Sequence, residues 1–331
     1  MPVTEQIHKE LSCEEKDAAA FLRERFLFLV ASLPVKPSNI TMHNNTEVSA
    51  QIRAFDLPFE NVFVENLQPS NSPAVIPKGI LRTSDILTIS YKDMMGVTVV
   101  ENKNEVIVAL SKLIEATATE SIERNGLFNI GVSGGSLVSF LATGLTKIST
   151  DFSKWKIFFC DERLVPVADP DSTFGVYKKQ LIDTEAVSLK EDQFVTVKQG
   201  VSAAEAAEEY AAKIKKYIPL SPLPRFDLLL LGMGPDGHTC SLFPGHALLN
   251  ETAKWVAPIT DSPKPPPSRI TLTFPVINAA RVCAFAVSGK EKAEMIKRIH
   301  VDKEDLPATR VQPTSGNLQW IVDKDAGALL N

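Results

Sequence analysis

The chain has 331 residues, 44% hydrophobic and 23% charged, an ordinary globular composition for one large domain or two smaller ones. Its net charge of −5 leaves no basic excess for nucleic acid, so an anionic ligand would have to be held by a few locally placed cations. No apolar run is long enough to cross a bilayer as a helix, so no membrane partner is expected. The isolated Cys13, Cys160, Cys240 and Cys283 show neither CxxC spacing nor a histidine cluster, so no metal is expected and a reducing, cytoplasmic setting is.

In chain order, residues 1–95 open with a short helical pattern that includes the apolar stretch 26–33, then turn rich in Pro, Asn and Ser with little periodicity. Such a segment buries too little apolar surface to offset its ordering entropy, so residues 1–95 are expected to be a poorly ordered extension. From residue 96 the pattern is regular. Strands are predicted over 97–100, 128–132, 156–160, 194–197, 227–231, 270–274, 282–287 and 320–322. Helices are predicted over 105–124, 137–147, 174–182, 203–217 and 291–299. This alternation, with apolar runs such as Leu228-Leu-Leu-Leu231, predicts an α/β fold over residues 96–331: an open, mainly parallel sheet with helices on both faces. Ligands in such folds sit at the carboxyl ends of the strands, so the loops there matter most.

Three loops carry candidate chemistry. Gly131-Val-Ser-Gly-Gly-Ser136 joins a strand to a helix. Its glycines let backbone approach a ligand, the helix start offers free N–H groups, and Ser133 and Ser136 add hydroxyls around Gly134 and Gly135. That composition favours an anion site over a plain tight turn. The same residues match the Gly-x-Ser-x-Gly nucleophile elbow, and Ser133, Asp161 and His238 follow the chain order of a hydrolase triad. Against that rival, Asp161 comes too early and no HGGG-type oxyanion loop precedes it. The second loop, Cys160-Asp-Glu-Arg-Leu-Val-Pro166, is either chemistry or a solvated loop start. The third, Gly232 to Pro244, contains a Gly-x-Gly-x-x-Gly pattern. Pro235 interrupts it and no acidic residue follows at dinucleotide-fold spacing, so it reads as a flexible loop presenting Asp236 and His238 as a candidate base pair. Arg269 after the Pro-rich run 263–267, and Lys292 where a strand turns into a helix, could clamp a phosphate or be surface charges.

With these loops in view, Ser133-Gly-Gly-Ser136, Cys160-Asp-Glu-Arg163, Asp171-Ser-Thr-Phe-Gly175 and Gly232-Met-Gly-Pro-Asp-Gly-His-Thr-Cys-Ser-Leu-Phe-Pro-Gly245 resemble the motif series of the 6-phosphogluconolactonases. The run Ala257-Pro-Ile-Thr-Asp-Ser-Pro-Lys-Pro-Pro-Pro-Ser-Arg-Ile-Thr-Leu-Thr273 is similar to their animal-type members. The resemblance covers roughly residues 96–330. It implies a fold like the sugar-phosphate isomerases and glucosamine-6-phosphate deaminases, and hydrolysis of a phosphorylated sugar lactone with no cofactor. It implies that Ser133, Gly134, Gly135, Ser136, Arg269 and Lys292 hold phosphate, that Asp161 and Arg163 line the sugar end, and that His238 is the base beside Asp236. A deaminase-like enzyme and a non-catalytic sugar-phosphate sensor are the alternatives. Ser241-Leu-Phe-Pro244, where deaminases carry an Asn-Glu-Pro-like stretch, favours the lactonase.

Overall fold

The computed structural model describes residues 37–43, 46–55, 60–69, 75–91 and 96–330, except 219, 222 and 316. The apolar stretch 26–33 and Cys13 lie outside the described residues. The chain divides into two units between Lys92 and Asp93.

The first unit holds a five-stranded antiparallel sheet: β1 (Pro37–Met42), β2 (Glu47–Phe55), β3 (Asn61–Pro69), β4 (Ile76–Arg82) and β5 (Ile86–Tyr91), in the order β4-β3-β2-β1-β5. This differs from the expectation of little regular structure before residue 96. The signal was an alternation too short to stand out. Val48, Ala50 and Ile52 of β2, and Val62 and Val64 of β3, recur at the strand period of two and are buried with Ile40.

The second unit is built on a seven-stranded sheet, all of whose pairings are parallel. Its strands are β6 (Gly96–Val100), β7 (Phe128–Val132), β8 (Trp155–Phe159), β10 (Phe194–Val195), β13 (Leu228–Leu231), β16 (Val282–Val287) and β17 (Leu318–Asp323), in the order β10-β8-β7-β13-β16-β17-β6. A three-stranded antiparallel sheet, β14 (Val256–Ile259), β15 (Arg269–Leu272) and β9 (Asp161–Arg163), stands apart from it, as does the short hairpin β11 (Leu220–Ser221) and β12 (Leu223–Pro224). The strand expected over 270–274 thus belongs to the smaller sheet. It ends before Thr273, the N-cap of a helix with proline in its first turn, where a missing N–H costs nothing.

Why the large sheet sits where it does follows from strand periodicity. Leu229 and Leu231 enter one apolar cluster and Leu228 and Leu230 the other, and Cys283/Phe285 and Val282/Ala284 divide the same way. Both faces are therefore dry, and helices must cover both. These are α1 (Lys103–Asn125), α2 (Ser136–Gly144), α3 (Thr173–Tyr177), α4 (Ala203–Tyr217), α5 (Phe274–Ala279) and α6 (Ala293–His300). α1 starts where the Asn102 side chain accepts from the Asn104 and Glu105 N–H groups, and stops at Gly126 in the left-handed region, φ 74°. Its Val106, Leu110, Ile114 and Ala118 fall on one buried stripe.

The amino end of β13 is pinned by Asp227, whose carboxylate accepts from Arg124 Nη2 and the Asn129 N–H, each at 2.9 Å, and lies 3.4 Å from Arg281 Nε. Burial pushes its pKa up against these partners. Asp227→Ala strands two cations at the sheet's lower edge. Denaturant unfolding should show a loss of roughly 3 kcal/mol, the low end for breaking a buried pair, because both arginines are partly exposed. Steady-state constants should stay near the parent's, since the candidate loops lie at the opposite edge. A loss under ~1 kcal/mol would mean that the pair contributes little.

Candidate active site

The loops that follow β7, β8, β13 and β16 meet at the carboxyl edge of the sheet. After β7 the backbone turns through Ser133 and Gly134 to Gly135, at φ 74°, and α2 begins at Ser136 with no side-chain cap. Ser133 is held from both sides: its N–H donates to Leu230 O at 3.0 Å, and the Tyr177 hydroxyl donates to its carbonyl at 2.9 Å. Its own hydroxyl is buried and finds no hydrogen-bond partner, and the same is true of Thr173 Oγ1. Thr173 lies against Gly134, where an added Cβ would come within 3.3 Å of that oxygen. A capless helix start flanked by two unsatisfied hydroxyls is suited to an anion.

After β8 the chain enters β9. Asp161 is buried and its Oδ2 accepts from the Ser241 hydroxyl at 2.8 Å. Glu162 is buried too, and caps α3 by accepting from Thr173 N–H at 2.7 Å and Phe174 N–H at 2.8 Å. Burial raises its pKa, opposed by those N–H groups and that of Arg163. Glu162 therefore positions the Asp171–Gly175 turn and Thr173 with it. Arg163 Nη1 donates to Asp171 O at 2.9 Å.

After β13, Gly234 N–H donates to His238 O at 2.9 Å, and Gly237 takes φ 77°, folding the loop back so that the imidazole lies over Gly234. A Cβ at 234 would come 2.0 Å from the ring, so only glycine fits there. His238 Nδ1 is 2.5 Å from Asp236 Oδ1, and Phe243 packs 4.7 Å from the ring between centroids. Two lone pairs could not face each other so closely, so Nδ1 carries the proton and donates to Asp236, leaving the Nε2 lone pair as the basic one. Burial lowers the His238 pKa; Asp236 opposes this and Lys264 adds to it. Burial would raise Asp236, but hydrogen bonds from His238 and Lys264 outweigh it and hold that carboxyl at about 2.

Lys264 was not among the expected site residues. Its Nζ lies 3.0 Å from Asp236 Oδ1 and 3.1 Å from His238 Nδ1. The available signal was a lone cation inside the proline run. Arg269, expected to hold phosphate, turns most of its donors inward. It is 3% exposed and donates to Pro266 O at 2.9 Å, Lys264 O at 2.8 Å and Pro265 O at 2.9 Å. With Nη1 3.4 Å from Ser241 Oγ, nearly all of its donors are spent inside the protein. Lys292 Nζ donates to Met233 O at 3.2 Å, in the loop that carries His238. Its turn is tied to the sheet by Asp323, which accepts from Ser288 and Gly289.

The structure thus joins Asp161, Ser241, Arg269, Lys264, Asp236 and His238 in one hydrogen-bonded chain. The serine-nucleophile arrangement is not assembled: Ser133 Oγ has no partner, and Asp161 binds Ser241 rather than His238. A cleft of about 660 Å³ beside Glu162 is lined by Glu191 and Asp192, carboxylates that would repel a phosphate.

Residues 101–320 match the family model described as glucosamine-6-phosphate isomerases/6-phosphogluconolactonase. The chain belongs to this family. A 6-phosphogluconolactonase from Rattus norvegicus is 45% identical over 242 residues, 71% of this chain and 93% of that protein. A probable 6-phosphogluconolactonase from Drosophila melanogaster is 45% identical over 228 residues, 68% of this chain and 91% of that one. The solved structure of 6-phosphogluconolactonase from Trypanosoma cruzi superposes with a TM-score of 0.62 at 28% identity, covering 71% of this chain and 96% of that one. Residues 14–91 match a different model, Gem-associated protein 7.

Gly234→Ala tests the placement of the imidazole directly. The new methyl must push the imidazole away from its position beside Asp236, and a misplacement of that size should lower turnover by about a hundredfold. The thermal midpoint should move by only a few degrees. Turnover within twofold of the parent's would show that the ring position is not critical.

Proposed function

We propose that the chain is a 6-phosphogluconolactonase that hydrolyses 6-phospho-D-glucono-1,5-lactone to 6-phosphogluconate, the lactone step of the pentose phosphate pathway. The observation that carries this reading is His238, a half-buried imidazole with Nδ1 committed to Asp236 and a basic Nε2, on a loop that packs against the anion-suited Ser133 turn. The names of the relatives give the substrate class. Three buried free thiols, Cys160, Cys240 and Cys283, are in keeping with a cytoplasmic setting.

In this reading the phosphate sits on the Ser133–Ser136 loop with Lys292 near it, and Asp161 and Arg163 face the sugar end. His238 Nε2 takes a proton from water, and the hydroxide attacks C1. As the tetrahedral intermediate collapses, the C1–ring-oxygen bond breaks and Nε2–H returns the proton to the departing oxygen. An activated ester needs no more than such a base and a donor for the developing negative charge. Residues 96–331 carry this activity and residues 1–95 do not; the family match falls on residues 101–320, within the second unit.

His238→Ala should lower kcat by about 10²–10⁴-fold. Ser133→Ala should be mild, because Ser136 and the glycine backbone remain. A covalent adduct on Ser133 formed with substrate would overturn the water mechanism, and ammonia release from an amino-sugar phosphate would favour a deaminase. The rate should rise with pH as His238 loses its proton. Because burial lowers its pKa, the midpoint of that acid limb should lie below the ordinary histidine value of about 6.5.

Truncation before Gly96 tests the division of labour. The shortened chain should fold and retain kcat/KM within about threefold, the mild effect expected of residues remote from a site. A truncated protein that folds but has lost activity would put part of the site in the first unit.

A further inference from the structure

We propose that Lys264 is a positioning residue of the hydrolysis: its amino group, carried by a loop that Arg269 locks, fixes the Asp236–His238 pair and holds His238 in its unprotonated, base-competent form. The inference rests on the reading of His238 as the base. Three polar atoms meet in a small triangle. Asp236 Oδ1 lies 2.5 Å from His238 Nδ1 and 3.0 Å from Lys264 Nζ, and the two nitrogens are 3.1 Å apart. Nδ1 already donates to the carboxylate, so it has no lone pair for the lysine. Lys264 therefore donates to Oδ1, and its closeness to the ring is a contact between a cation and a group that must not become one.

The approach is enforced from the backbone. Arg269 Nη2 holds the Lys264 and Pro265 carbonyls and Nε holds that of Pro266. Ser262 Oγ donates to Lys264 O at 2.8 Å and accepts from Lys264 N–H at 3.3 Å. A lysine that merely decorated a surface would need no such anchoring of both its N–H and its C=O. The other charged groups around His238 are Asp236 on its own loop and Asp161 from β9, both favouring the imidazolium. Arg269 lies over Phe243, 5.7 Å from its centroid, and Lys292 reaches Met233 O on the same loop. Among the described residues, Lys264 is thus the cation in direct contact with the Asp236–His238 pair. It offsets part of the carboxylate's pull on the imidazole proton and leaves the carboxylate its orienting hydrogen bond. When Nε2 takes a proton from water, the nearby cation also favours its prompt return to the leaving oxygen.

The experiment compares the full-length parent with Lys264→Met and Lys264→Arg. It measures kcat/KM against pH with the phosphorylated lactone and follows the His238 ring titration by NMR. Loss of the cation should raise the ring pKa and move the acid limb of the rate upward together, by about one pH unit. Activity should recover toward the parent's at alkaline pH, and Lys264→Arg should keep the limb near the parent's position. A ring that titrates as in the parent overturns the proposal. So does a raised KM with an unmoved limb, which would make Lys264 a substrate anchor, or a uniform loss at every pH with a lowered thermal midpoint, which would make it structural. A ring that titrates higher while the rate limb stays put would instead overturn the assignment of His238 as the base.

Discussion

The site depends on the way Arg269 spends its guanidinium on the protein itself. Arginine offers five donors in a rigid fork, and here they tie three consecutive carbonyls of the Pro-rich loop to β15, with Ser241 within reach. Ser241 in turn donates to Asp161, on the strand that pairs with β15. One buried side chain therefore sets the spacing between the β9–β15 ladder, the His238 loop and the loop that brings Lys264. The Phe243 ring sits between Arg269 and His238, in contact with both. A cation this buried is tolerable because nearly every donor is satisfied; with the carbonyls turned away, its desolvation would be uncompensated.

A net charge of −5 is compatible with an anionic substrate because the cations are local. Lys292 and Lys264 lie on turns at the carboxyl edge and Arg163 ends β9, and the first turn of α2 adds N–H groups rather than formal charge. The same economy governs His238. Its burial alone lowers its pKa but leaves its orientation free. Asp236 supplies the orientation at the cost of favouring the imidazolium, and Lys264 counters that cost. Asp236 thus orients the ring, while partial burial and, after it, Lys264 lower its pKa.

The legible part of the fold was whatever depends on long, uniform periodicity. The all-leucine β13 and the Ala/Glu/Lys helix α4 stood out, since a strand buried on both faces and a 15-residue amphipathic helix each leave a strong local trace. The loops after β7 and β13 were legible because glycines and catalytic residue types coincide there. What escaped depends on long-range contact. Glu162 could be chemistry or a solvated loop start in sequence, until α3 places its N–H groups over it. The inward bonds of Arg269 and the contact of Lys264 with Asp236 escaped because sequence shows that a cation lies near a strand, and not whether its donors point at a ligand or at a proline run. β14, four residues with a proline, and β9, three charged residues, are too short to stand out, and each pairs with β15, which lies between them.

The first unit follows the same logic at smaller scale. Its core is Ile40, Val48, Ala50, Ile52, Val62 and Val64, six side chains drawn from three strands. None of these strands is apolar enough to be conspicuous alone, and each buries its inner face only when its neighbours pair with it. Residues 14–91 match a family model unrelated by description to that of residues 101–320, and the two matches fall on either side of the division between Lys92 and Asp93. Composition could not reveal this, because a small antiparallel sheet with short turns and a loosely structured tail draw on the same Pro, Asn and Ser. Only the pairing of alternate residues across strands tells them apart, and that information resides in the register, not in any one segment.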